Sequence, residues 1–318
     1  MILDFLRSRT YVLRTLFALG VLGFGYKAFQ SMVLPMREGN FTYVHVAEVP
    51  DAVPLNPKIA TWNIMGLAGQ FSYSYGKAVH WKDRLEGIVR KILAEDADIV
   101  ILQEIFDQVL YDALISKLGK KYPHIYTHLG GEVWGIRSGE MVLTKFKVAD
   151  FSFTRFKNNW KFHRGWAKFT VEKEGRPWCQ IVATHLRSGL STSNQKKRRE
   201  QFLEIVKDVQ SGPQLPTLLI GDLNIDRDSE EGQFLAQYLD HGYQGSEPTW
   251  INLSKKPWTK IDALIVDYIS IFKKNRKNIQ LGQCHMIQGF ASDEDRWPLS
   301  DHQGLSVILS EIQSSLKL

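Results

Sequence analysis

Glu104 closes the run Asp98-Ile-Val-Ile-Leu-Gln-Glu104, and an ionised carboxylate beside so apolar a segment needs a partner. A hard divalent cation is one; magnesium takes one or two protein carboxylates and keeps waters that a phosphate can replace. An Arg or Lys salt bridge is the other. Asp301-His302 is a second reactive element, since a histidine titrating near neutrality suits proton transfer and a carboxylate can fix its tautomer. Adjacent residues on an extended chain point apart, so Asp262 is the better candidate to orient His302. Asp222 and Asn224 in Gly221-Asp-Leu-Asn224 lie two apart and share one side of a continuing strand. Such a pair can aim a water and hold a phosphate oxygen; an Asx turn is the plain alternative. His185 ends Gln180-Ile-Val-Ala-Thr-His185, and Asn63 ends Lys58-Ile-Ala-Thr-Trp-Asn63. Taken singly, the one is as readily a core histidine as a functional group, and the other is more often a turn or cap residue.

What unites these residues is their place in the chain. Lys58–Asn63, Asp98–Glu104, Gln180–His185 and Thr217–Asn224 read as buried strands whose polar group comes last. In Ile261–Val266 and Leu305–Leu309 the polar groups come first, at Asp262 and Asp301-His302. If all share one rim, four strands run toward it and two away, which requires mixed sheets. Loops at strand ends expose polar groups over a rigid base. Helical spacing over Lys82–Glu95, Gln108–Leu118 and Gln195–Val209 supplies the covering layers.

With 318 residues, 44% hydrophobic and 23% charged, the chain can build a large core, which excludes disordered, collagenous and coiled-coil classes. Cys179 and Cys284 cannot form a disulfide framework or a Cys-x-x-Cys metal site. The net charge of +6 invites a nucleic-acid partner, but residues 1–40 hold five basic against two acidic residues. The remainder carries +3, with 35 basic and 32 acidic residues. Half of the excess is therefore a topology signal. Arg7, Arg9 and Arg14 precede the apolar Thr15–Gly25, which predicts a cytoplasmic N-terminus and an exported body. Residues 1–36 read as a signal-anchor or signal peptide, 37–57 as a Pro-containing linker, and 58–318 as one catalytic domain. The body is expected to be membrane-anchored and periplasmic, lumenal or extracellular, or else secreted.

The ordered pieces Thr61-Trp-Asn63, Asp98–Glu104, Ala183-Thr-His185, Gly221-Asp-Leu-Asn224, Lys260-Ile-Asp262 and Leu299-Ser-Asp-His302 resemble the magnesium-dependent endonuclease/exonuclease/phosphatase superfamily. The resemblance covers about residues 58–310. It implies a deoxyribonuclease-like α/β fold, a four-layer sandwich of two packed mixed β-sheets flanked by helices. It further implies that Glu104 and Asn63 hold Mg2+, or alternatively Mn2+, with Asp301 completing the metal or histidine network. Asp222 and His302, the latter backed by Asp262, would activate water, while Asn224 and His185 would bind phosphoryl oxygens.

Glu104-Ile-Phe-Asp107, Lys121-Tyr-Pro123 and Ser138–Lys145 look most like the neutral and bacterial sphingomyelinases, as do Arg198, Arg199 and Gln201 after His185. This implies a phospholipid phosphodiesterase acting at a membrane surface on sphingomyelin, with no obligate protein partner. Phe71, Tyr73, Tyr75 and Trp81 could touch lipid headgroups. The rival is a nuclease contacting nucleic acid through Lys196–Arg199 and Lys273–Lys277. A sugar or inositol-phosphate phosphatase is third, and an inactive lipid- or partner-binding domain is the non-enzymatic alternative.

Overall fold

The computed structural model describes residues 41–47, 52–67, 79–130, 137–157, 163–253, 262–276, 278–290 and 298–312. The leader and the aromatics Phe71, Tyr73 and Tyr75 lie outside them. Among the described residues no helix is long and apolar enough to cross a membrane.

Two mixed sheets form the body. The first orders β1 (Thr42–His45), β4 (His124–Thr127), β5 (Met141–Thr144), β3 (Ile99–Ile105), β2 (Lys58–Gly66), β16 (Gly304–Glu311) and β14 (Ile279–Leu281), with β15 (His285–Ile287) also on β16. The second orders β10 (Leu239–His241), β13 (Asp267–Phe272), β9 (Thr217–Asp222), β8 (Arg176–Thr184), β7 (Gly165–Lys173) and β6 (Ala149–Arg155). A small ribbon pairs β11 (Trp250–Ile251) with β12 (Ala263–Leu264). Strands β2 and β3 are parallel, as are β8 and β9, whereas β16 and β13 run against them. Four strands thus point to one rim and two leave it, as the positions of the polar residues require.

Strand alternation builds three apolar layers from nearly unbroken runs. Ile59, Ile99, Ile101, Ile181, Ala183, Leu218, Ile220, Ile269, Leu305 and Val307 fill the space between the sheets. Their neighbours Ala60, Trp62, Val100 and Leu102 face the other way, onto helices α1 (Trp81–Glu95) and α2 (Gln108–Leu118). Val182 and Leu219 face α3 (Thr192–Ser211) and the short α4 (Glu230–Leu235). Helix α1 buries Trp81, Leu85, Ile88, Val89 and Ile92, one stripe at helical spacing. The Asp107 side chain caps α2 through the Val109 N–H at 2.9 Å. Helix, sheet, sheet, helix is the four-layer order.

Two expectations change. Thr42–His45, inside the stretch read as linker, is the edge strand β1, paired with His124–Thr127; its Thr-Tyr-Val-His sequence is rich in β-branched and aromatic residues that suit an edge. The fifth of the six expected strands is Asp267–Phe272, not Ile261–Val266. Ala263–Leu264 is drawn off into the ribbon with β11, and the Thr249 hydroxyl takes the Val266 and Asp267 N–H groups at 2.9 and 3.1 Å.

Candidate active site

The parity that sends Ile59, Ile99, Ile181, Leu218 and Ile269 into the inter-sheet space sends the polar residues ending the same strands to its open rim. Asn63 continues 59 and 61, His185 continues 181 and 183, and Asp222 continues 218 and 220. Asp267 precedes 269 and 271 on the opposed strand. The rim backbone is bent. Met65, Glu104 and Asn224, just inside or beyond the ends of β2, β3 and β9, have φ of 48°, 62° and 52°, left-handed values uncommon for non-glycine residues. The β2–β3 register shifts between Asn63 and Gly66. Gly221, with φ 137°, allows β9 to pass against β8, because a Cβ there would lie 2.0 Å from the Thr184 carbonyl oxygen.

Asp222 is the hub. Its Oδ2 accepts from Asn63 Nδ2 at 3.0 Å and lies 3.3 Å from His185 Nε2 and 3.8 Å from His302 Nε2. Its Oδ1 accepts the Asn224 N–H at 2.8 Å. Burial pushes this carboxyl up, but His302, His185 and the Asn63 bond overcome that and hold it well below the usual range. His302 is buried, and its Nδ1 lies 2.9 Å from Asp267 Oδ2. Burial alone would lower His302; Asp267, Asp222 and Asp301 reverse that and raise it well above an ordinary histidine. Burial pushes Asp267 up to about 6, partly offset by His302. His185 goes the other way, to about 4, through burial and the nearby Arg164 guanidinium, so it is neutral at pH 7.

The carboxylate that orients His302 is thus Asp267 rather than Asp262. Asp262 is buried beside the β11–β12 ribbon, where its Oδ1 accepts from Asn252 Nδ2 at 3.3 Å. Asp301 accepts from Trp250 Nε1 at 3.0 Å. Asn224, read as a phosphate ligand, donates its amide to the Leu186 carbonyl at 3.2 Å and keeps a second N–H. Asn63, Glu104, His185, Asp222, Asp301 and His302 share the rim, and Asn224 flanks it.

Sequence reasoning missed the residues that hold this set in place. Ser300 Oγ donates to the Asn63 carbonyl at 2.6 Å and accepts the His302 N–H at 3.0 Å, and Trp62 Nε1 donates to the His302 carbonyl at 3.0 Å. Buried Arg84 donates to the carbonyls of Val79, Ile64, Met65 and Leu299, tying the bulge after Asn63 to the segment leading to His302. Arg164 is buried, donates to the Leu186 carbonyl, and acts electrostatically on Glu104, Asp222 and Glu140. Within Lys196–Arg199, Arg198 is buried and pairs with Glu231 at 2.5 Å, while Arg199 stacks on Phe234 at 3.9 Å. The Arg198 guanidinium is thus committed to the fold, while Arg199 stays exposed.

Glu104 is half-buried, with its Oε1 4.0 Å from His185 Nε2. Among the described residues no hydrogen-bond donor reaches its carboxylate, and burial and Asp301 push it up to about 7, partly offset by His302 and Arg164. Glu104, Asp301 and the Asn63 amide oxygen are hard oxygen donors of the kind a divalent cation takes. Asp222, Asp267 and His302 form a second group that could hold a metal, with ligand atoms within 4.8 Å of one another.

Carboxylates, two imidazoles and a metal-compatible oxygen cluster at the rim of a two-sheet sandwich are the groups that phosphoester hydrolysis calls for. The chain belongs to the Endonuclease/Exonuclease/phosphatase family, whose pattern matches residues 60–302. It is 22% identical over 260 residues to Sphingomyelinase C 2 of Leptospira interrogans, covering 68% of this chain and 41% of that protein. It is 23% identical over 265 residues to Sphingomyelinase C of Bacillus cereus, covering 70% and 76%. The chain thus spans less than half of the Leptospira relative. Among solved structures, a beta toxin of Staphylococcus aureus superposes with TM-score 0.64 at 21% identity, covering 79% of this chain and 99% of that one. TDP2 of D. rerio, complexed with a single-strand DNA product, superposes at 0.63 with 16% identity, covering 80% and 99%. These structural likenesses carry the fold.

Proposed function

We propose that this phosphoester hydrolase is a magnesium-dependent phosphodiesterase that cleaves a phospholipid, with sphingomyelin, giving ceramide and phosphocholine, as the favoured substrate. The observation that carries the hydrolytic reading is the buried Asp222 carboxylate set between His185 and His302, with Asp267 on the far nitrogen of His302. The lipid preference draws support from two relatives named as sphingomyelinases and from the element Glu104-Ile-Phe-Asp107.

Glu104, Asn63 and Asp301 would hold the cation, which when bound supplies positive charge for a phosphoryl group. Asp222, Asp267 and His302 are the poorer cradle, because His302 Nδ1 is already committed to Asp267. The chain's own groups do the rest. Asp222, kept ionised, accepts a hydrogen bond from the attacking water and aims it. His302 acts in its neutral form: its Nε2 receives the water's proton and Asp267 stabilises the imidazolium that results; positive charge beside Asp301 would offset one of the carboxylates that raise His302 in the metal-free chain and so populate that form. Neutral His185 and the remaining Asn224 amide N–H bind phosphoryl oxygens. As the water oxygen bonds to phosphorus, the bond to the leaving alkoxide breaks, and that oxygen takes up a proton from solvent, to which His302 later returns the one it received. Tethering of the exported domain by the leader would keep it at a lipid surface.

The D. rerio TDP2 likeness favours a second reading, hydrolysis of a nucleic-acid phosphodiester. Residues 41–318 assayed on sphingomyelin vesicles and on plasmid DNA, with Mg2+ and with a chelator, decide between them. Mg2+-dependent release of phosphocholine is the expected outcome. DNA cleavage without lipid turnover would overturn the substrate, and turnover unaffected by chelation would overturn the cofactor.

A further inference from the structure

Helix α3 opens beside the catalytic rim with cations that the fold does not use. The loop 186–191 follows His185 directly and leads into Thr192. Its backbone is held in place. Buried Arg198 donates to the Arg187 and Gly189 carbonyls, Gln201 Oε1 accepts the Arg187 N–H at 2.9 Å, and Asn224 donates to the Leu186 carbonyl. Yet this fixed loop holds Leu190 out in water, 60% exposed. Val109 stands five residues after Glu104, as Leu190 does after His185, and is 56% exposed at the start of α2. One aliphatic side chain is thus left in water beside the rim on each outer layer, where burial would be favourable.

Helix α3 buries Arg198, Gln201, Phe202, Ile205, Val206 and Val209. That parity leaves Lys196, Lys197, Arg199, Leu203 and Lys207 on the outward face, all exposed. The first three lie within about 10 Å of Thr192 along the axis. Among the described residues no carboxylate pairs with Lys196, Lys197 or Lys207. Two acids of the same helix are engaged elsewhere: Asp208 pairs with Lys168 at 2.6 Å, and Glu204 accepts the Lys157 N–H at 3.3 Å. A cavity of about 340 Å³ between α3 and α4 is lined by Lys196, Arg199 and Glu230 and by the apolar Ile225, Phe234 and Leu235. Glu200 and Glu230 oppose the cations of this face without balancing them. Cations with exposed leucines among them suit a surface that meets anionic lipid. A nucleic-acid backbone would use the cations but offers nothing to Leu190 or Leu203.

We propose that Leu190 and the first two turns of α3 dock the domain on an anionic lipid surface. Leu190 enters the headgroup boundary, Lys196, Lys197 and Arg199 face lipid phosphates, and the rim opens onto the bilayer. The proposal rests on the phospholipid reading of the rim, to which it adds the charge class of the recruiting lipid and a place for it apart from the substrate's.

Among the described residues the three apolar layers draw on positions 41–309, so residues 41–318 carry that whole core and leave out the apolar leader. Wild type, Lys196→Gln/Lys197→Gln and Leu190→Ser would be floated with vesicles of phosphatidylcholine alone and with phosphatidylglycerol added. Wild type should prefer the anionic vesicles, and salt should weaken that preference. The double variant should partition about 25-fold less, at about fivefold for each charge removed from an anionic surface. Leu190→Ser should lose about tenfold, the scale of withdrawing a partly buried leucine. Both variants should melt as wild type does, since the altered side chains are exposed. Equal binding to the two vesicle types, or anionic binding that survives the double variant, would overturn the proposal. So would a duplex oligonucleotide bound through the same lysines while anionic vesicles are ignored. Docking without phospholipid turnover would keep this surface and sink the substrate; sphingomyelin turnover by a protein indifferent to anionic lipid would do the reverse.

Discussion

Replacing Asp267 by asparagine distinguishes the two carboxylates that could serve His302. The change keeps volume and shape but removes a charge 2.9 Å from His302 Nδ1. An ion pair at that separation, with an effective dielectric constant near 20, is worth about 6 kcal/mol. At roughly 1.4 kcal/mol per decade of rate, that sets a ceiling of about four decades. The asparagine amide can also donate to Nδ1, which moves the ring proton to Nε2 and blocks the atom that should receive the water's proton. A loss in kcat between about a hundredfold and ten-thousandfold is therefore expected, with a smaller change in KM. Asp262→Asn acts beside the β11–β12 ribbon, where Oδ1 accepts from Asn252, rather than on His302, and should stay within about threefold, as changes without direct contact to reacting groups commonly do. Both variants would be purified, checked for cooperative melting and assayed at saturating Mg2+. If Asp262→Asn loses two decades while Asp267→Asn keeps most of its rate, the pairing assigned to His302 is wrong.

Glu104, held near 7 in the metal-free protein, should lose its proton when a cation binds. Mg2+ affinity should rise by close to tenfold per pH unit below about 7, level off above it, and lose this dependence in Glu104→Gln; titration calorimetry in two buffers of different ionisation enthalpy reads the released proton, and a flat affinity from pH 6 to 8 would refute the assignment. Gly221→Ala places a Cβ 2.0 Å from the Thr184 carbonyl at φ 137°, so it should lower stability by about 2–4 kcal/mol, seen in urea unfolding; a loss under about 0.5 kcal/mol would mean that β8 and β9 are not so closely apposed.

How much of this was legible depended on whether a role is local. Strand identity and direction could be read because a strand buried on both faces leaves a continuous apolar run, and the polar residue at its first or last position says which way it points. Lys58–Asn63, Asp98–Glu104 and Leu305–Leu309 were found for that reason, the observed strands Lys58–Gly66 and Gly304–Glu311 running two or three residues further and Ile99–Ile105 shifted by one. The rule failed at Asp262, where Ala263-Leu-Ile-Val266 mimics a buried strand although only two of its residues pair, and those with β11. The available signal was Asp267 followed by Tyr-Ile-Ser-Ile-Phe, a stronger β pattern behind another carboxylate. Arg84, Arg164 and Ser300 were not legible at all. Besides the local bonds to Val79 and His302, their partners lie 19 to 237 residues away, and no period or spacing announces a contact made only by folding.

The rim is arranged against stability, which bears on the non-enzymatic alternative. Met65, Glu104 and Asn224 hold left-handed backbone, each at a cost of about 1–3 kcal/mol. Glu104 and Asp267 are both held above their ordinary range by burial. A domain retained only to bind a lipid or a protein through its surface gains nothing from strain and like charge gathered in one cleft, and substitution by apolar or amide side chains would relieve both. Groups with opposed shifts set side by side, His302 raised and His185 lowered around one ionised Asp222, are what proton transfer needs. The same strain and charge that weaken the fold therefore favour a working catalyst over an inert scaffold.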